Sequence, residues 1–133
     1  MEEIYYRMVT KMQMTEIKKN GRIVVGKTRW EPYEPDTIVN IFKSKNIDYL
    51  CERYASAIAD NRDLQEGEDL YLLELNNLPG TIEKDKSAGG WPESYTHLGD
   101  IPENCIKFVR TIELAISHDN RSFRGIRPAI SWR

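Results

Sequence analysis

Gly89-Gly90-Trp91-Pro92-Glu93-Ser94-Tyr95-Thr96-His97-Leu98-Gly99-Asp100-Ile101-Pro102-Glu103-Asn104-Cys105-Ile106-Lys107-Phe108-Val109 is the stretch from which the rest of the chain is best read. Its first half crowds an aromatic, a carboxylate, a phenol and an imidazole together, a density that a plain connector does not need. Its second half turns at Ile101-Pro102 and opens an alternating segment that runs to Leu114. There Ile106, Phe108, Arg110, Ile112 and Leu114 fall on one side and Cys105, Val109 and Thr111 on the other, the period of a long strand. Upstream, the apolar run Leu70 to Leu75 reads as a central strand covered on both faces. Ile4 to Val9, rich in β-branched and aromatic residues, reads as an opening strand.

Helical spacing is confined to earlier segments. Thr10 is placed to cap Lys11 to Asn20, with Met14 and Ile17 on one face, and Asn20-Gly21 ends that helix. Arg22 to Val25 is a short strand. Asp36 reads as the N-cap of a short helix carrying Ile38, Val39, Ile41 and Phe42. Asn46 to Ala59 is the strongest amphipathic helix, with Ile47, Leu50, Cys51, Tyr54, Ala55 and Ile58 recurring on one face. Gly26 to Asp36 holds Trp30, Pro32, Tyr33 and Pro35 and is too proline-rich for regular structure. Asn61 to Asp69 is a loop, Ile82 to Ser87 is strand or loop, and the tail from Ser117 takes no assignment. Helices early and strands late predict an α+β fold with a mixed or antiparallel sheet.

A chain of 133 residues suits one domain, 1–133. The net charge of −2 gives no global drive toward nucleic acid or anionic membrane, although Arg121, Arg124, Arg127 and Arg133 gather in the tail. No apolar stretch approaches the roughly 20 residues needed to cross a bilayer. Cys51 and Cys105 sit in apolar settings without a ligand pattern, so free buried thiols in a cytoplasmic protein are expected. Two histidines, His97 and His118, with no HExxH or cysteine cluster, predict no metal site.

Three pieces of the chain together resemble the ADP-ribosyltransferase-like superfamily. The first is Ile4-Tyr5-Tyr6-Arg7-Met8-Val9 followed by Ile17-Lys18-Lys19-Asn20-Gly21-Arg22-Ile23. The second is Asp69-Leu70-Tyr71-Leu72-Leu73-Glu74-Leu75. The third is Trp91 to Pro102 leading into Cys105 to Val109, similar to the family's late site segment, Ile-Pro turn and closing strand. The chain departs from the family in lacking a Ser-Thr-Ser type segment and a Gln-x-Glu or Glu-x-Glu before the last strand. The resemblance implies a split sheet with NAD, as co-substrate, in a cleft between two small sheets.

On that resemblance Arg7 is the residue for the dinucleotide phosphates, since a planar guanidinium suits bidentate contact with a pyrophosphate. Glu93 is the carboxylate that would support positive charge on the ribose as the glycosidic bond breaks, and His97 holds the ribose or moves a proton. Trp30, Tyr33 and Tyr95 are the aromatics for stacking. Each residue has a plainer reading: a strand arginine, a loop acid, a packed histidine, aromatics folded onto a core. The function so implied is binding of NAD or a related nucleotide with ADP-ribose transfer to a macromolecule, a protein target or a nucleic acid, although the net charge does not advertise the basic cleft that a nucleic acid would want. A second reading from a different class is a non-catalytic binding or inhibitor protein, using Trp30, Tyr33, Trp91 and the arginine tail on a protein partner.

Overall fold

The computed structural model describes residues 3–25, 37–61, 68–85, 93–116 and 121–133. The opening strand β1 (Tyr5–Thr10) is buried along its whole length, because other layers cover both of its faces. Thr10 ends β1 and caps α1 (Lys11–Asn20). Its hydroxyl accepts the Gln13 N–H while Gln13 Oε1 accepts the Thr10 N–H, which satisfies two otherwise orphaned donors. Gly21, at φ 70°, closes the helix by donating its N–H to the Ile17 carbonyl. The chain continues through β2 (Arg22–Ile23), β3 (Ile38–Phe42), α2 (Ile47–Asn61), β4 (Leu70–Leu75), β5 (Ile82–Lys84), β6 (Ser94–Leu98) and β7 (Ile101–Pro102). A 3₁₀ turn (Glu103–Cys105) precedes β8 (Ile106–Ile116), β9 (Arg121–Ile126) and β10 (Ile130–Ser131).

These strands make one eight-stranded antiparallel sheet and a small β2–β7 ribbon. The main order is β10-β8-β4-β1-β3-β6-β5, and β9 pairs with β8 beside β10. The outer edge of β8 is thus shared, with β10 on Phe108 and Val109 and β9 on Ile112 to Ile116. The joins are unequal. β1 pairs with β4 at six positions but with β3 only at Tyr6 and Phe42, so the sheet narrows to a seam between β1 and β3.

Alternation divides the core. On one face α2 sets Leu50, Cys51, Tyr54, Ala55 and Ala59 against Tyr6, Met8, Phe42, Leu70, Leu72 and Ile112. On the other, α1 and the β2–β7 ribbon bring Ile17, Ile23 and Ile101 over Tyr5, Val9, Val39, Ile41, Leu73 and Val109. Both thiols are free and buried. Among the described residues no helix is long and apolar enough to cross a membrane.

The α+β class and the mostly antiparallel sheet agree with the sequence. Four expectations need correction. Residues 38–42 form a strand, because the apolar run is buried on both faces when laid between β1 and β6. Helices and strands are not segregated, since β1, β2 and β3 all precede α2. The sheet is continuous through the Tyr6–Phe42 pair rather than divided into two small sheets. A bulge at Glu74/Leu75 moves Ile106 to the face opposite Ile112, so β8 does not keep one alternation throughout. The tail supplies β9 and β10. Asp36, Trp30, Tyr33, Trp91, Gly89, Gly90 and His118 lie outside the described residues.

Candidate functional site

Arg7 lies on β1 between Tyr6 and Met8 and faces the α1 side, opposite Leu73 of β4. Its side chain is fully buried. Nη1 donates to the Asn40 carbonyl at 2.8 Å. That carbonyl belongs to β3, two residues beyond the one pair that joins β3 to β1, so Arg7 supplies from its side chain a bond across the seam. A guanidinium suits this position because it presents several donors in a fixed plane.

His97, on β6, faces the same side, opposite Val39 and Ile82. It is buried as well. Nδ1 stands 2.9 Å from the Gly99 carbonyl, and Nε2 lies against the Pro79 carbonyl. Both ring nitrogens therefore meet backbone oxygens, and the ring braces the turn at Pro79-Gly80 against the turn at Leu98-Gly99. Gly80, at φ 80°, supplies the left-handed backbone of the first of these turns. The geometry is that of a brace.

Tyr95 also faces the α1 side, opposite Ile41. Its ring meets Tyr5 edge to face, with centroids 5.7 Å apart. Lys84 Nζ sits 4.8 Å above the Tyr95 ring, which occupies that face with a cation. The Tyr5 hydroxyl donates to Glu3 at 2.9 Å, and Glu3 takes Lys43 at 2.5 Å. Burial first, and then the Glu3 carboxylate, push the Tyr5 phenol up to about 12.

Glu93 goes the other way. It stands in the turn before β6, outside the alternation of that strand, and its carboxylate accepts the Tyr54 hydroxyl of α2 at 2.6 Å. Tyr54 in turn stacks on Phe42, with centroids 5.2 Å apart and planes within 12°. Burial, followed by the Glu93 carboxylate, raises the Tyr54 phenol well above the ordinary range. Arg53 approaches the Tyr54 ring at 5.7 Å and donates to the exposed Tyr49 hydroxyl at 2.7 Å.

Arg7, Tyr95 and His97 thus share one face of the sheet, while the Glu93 carboxylate meets α2 on the other. Glu93 and His97 are not brought together. Trp30 and Tyr33 lie outside the described residues. Sequence reasoning did not single out Asn40, whose carbonyl receives Arg7, or Tyr54, which holds Glu93. It also passed over a polar group on the α2 face: Tyr6, Glu74 and Arg110. Its signal was present, since Glu74 interrupts an apolar run and Arg110 an apolar alternation. Compared with known proteins, the chain matches no family model, no curated protein and no solved structure.

Proposed function

We propose that this chain binds NAD or a related nucleotide on the α1 face, at the seam between β1 and β3, and that it acts as a binding protein rather than as a transferase. The observation that carries this reading is the division of the residues between the two faces. Arg7, Tyr95 and His97 share the α1 face. Arg7 brings the cation that a pyrophosphate needs, at the one place where the sheet is held by a single pair. Because Arg7 is buried, a ligand reaches it by parting β3 from β1 beyond Tyr6 and Phe42, so binding is coupled to that movement.

Transfer of ADP-ribose asks for more. Cleavage of the glycosidic bond builds positive charge on the sugar, and a carboxylate must lie on the same side to stabilise it. Glu93 is bonded to Tyr54 on the opposite face, and both nitrogens of His97 are engaged by carbonyls. Binding without chemistry follows.

The test is calorimetric titration with NAD of the parent chain, Arg7→Ala and Arg7→Lys, each checked for folding by urea unfolding, with nicotinamide release followed in parallel. Saturable binding lost in folded Arg7 variants, without nicotinamide release, is the expected result. Nicotinamide release would restore the transferase. Absence of binding at millimolar NAD would favour a protein-binding module. That second reading rests on the exposed Tyr49 and Arg53 beside Tyr54 and Glu93, residue types that dominate interface hot spots.

A further inference from the structure

On the α2 face a row of side chains crosses three adjacent strands. Tyr6 of β1 lies opposite Glu74 of β4, and Glu74 lies opposite Phe108 of β8. Arg110 stands one pleat further along β8, opposite Leu72 and hence diagonal to Glu74. Cys51 of α2 belongs to the same buried cluster as Tyr6. Phe108 is 42% exposed, so the row is a shelf open to solvent at one end.

The polar groups of this shelf are unused. Elsewhere in the chain opposite charges close onto each other: Arg22 on Asp100 at 3.1 Å, Arg127 on Glu113 at 2.6 Å, and Arg133 on Glu103 at 3.1 Å. Glu74 and Arg110 are diagonal neighbours, a spacing of about 7–8 Å that long side chains can bridge. Yet no ion pair joins them among the described residues, and the side chains of Tyr6, Glu74 and Arg110 make no hydrogen bond there. Arg110 Nε is buried and unpartnered. Leaving a buried donor of a charged group unsatisfied is costly, so an anion placed over Arg110 has a ready gain. Glu74, one pleat away, asks for the opposite charge.

We infer that this shelf binds a small zwitterion with an apolar body, a free α-amino acid, its carboxylate on Arg110, its ammonium on Glu74 and its side chain on Phe108. A lone anion would face Glu74, and a lone cation would face Arg110. A molecule carrying both charges a few bonds apart meets each with its complement. The Tyr6 hydroxyl, beside Glu74, is a further donor to the carboxylate, and the Phe108 ring offers an aromatic surface to the side chain. The site lies on the opposite face from Arg7 and Tyr95 and does not depend on nucleotide binding.

The test follows amide chemical shifts of the full chain on titration with L-phenylalanine, with phenylpropionate and phenylethylamine as partners lacking one charge each. Saturable shifts at Tyr6, Glu74, Phe108 and Arg110 in the millimolar range are expected, with either analogue binding about tenfold more weakly. Glu74→Gln should abolish the preference for phenylalanine over phenylpropionate, and Arg110→Gln the preference over phenylethylamine. Unchanged spectra away from the shelf establish that the variants fold. No saturable shift at these residues, or equal binding of all three compounds, overturns the inference.

Discussion

His97 shows how a residue chosen for its chemistry can be placed for its shape. An imidazole among a carboxylate and a phenol reads as a proton carrier, yet its two nitrogens meet carbonyls contributed by turns 18 and 2 residues away. Nothing in the local sequence could reveal that pairing. Removing the buried ring takes away the contact between the two turns and leaves a cavity, so His97→Ala is expected to lower stability by about 2–4 kcal/mol. His97→Gln, able to reach one carbonyl, should fall between, as read from urea midpoints. Tyr54→Phe removes one bond to Glu93 and should cost about 1 kcal/mol. The tyrosines also set an alkaline limit. Tyr5, Tyr6 and Tyr54 all have raised phenol values through burial, with neighbouring carboxylates adding to it. The folded chain therefore keeps protons that the unfolded chain releases above about pH 10, and stability falls as pH rises through that point. For Tyr5 the loss continues until the folded value of about 12 is passed. Unfolding midpoints measured from neutral to alkaline pH should decline, and Tyr54→Phe should flatten the decline.

Elements defined by their own residues were legible, and those defined by a distant partner were not. The Thr10 cap, the Gly21 stop, α2 and β4 follow from local rules, and each is found where the sequence puts it. By contrast, residues 38–42 carry an apolar run that suits a short helix or a strand, and the pairing with β6 more than fifty residues later decides it. β10 exists because the outer edge of β8 is open to it at Phe108 and Val109. The capping box makes Thr10→Ala worth about 1 kcal/mol of destabilisation. Gly21→Ala should cost a similar amount, about 1 kcal/mol, through its left-handed backbone alone, because a Cβ there meets nothing within 4 Å. Thermal unfolding of both variants, with helicity followed by circular dichroism, checks the pair.

Across the molecule, protection should follow the ladder. β1 and β4 lie inside the sheet with six pairs between them and cores on both sides, while β5 forms one border. Native-state hydrogen exchange is expected to be slowest at β1 and β4 and fast at β5, spanning the range from global to local opening. The α+β class was legible because the two periodicities differ. Which residues share a face was less so, because the Glu74/Leu75 bulge and the turn at Glu93 both break the simple count. The single Tyr6–Phe42 junction has a mechanical meaning as well. In the backbone ladder a load that draws β3 away from β1 falls on one residue pair, with the Arg7 bond, the Glu3–Lys43 ion pair and the Tyr5–Tyr95 contact beside it, whereas a load between β1 and β4 is spread over six pairs. The sheet is stiff in its large half and compliant along one line. β3, β6 and β5 are the part of the sheet beyond that line, and Arg7 pins it to β1.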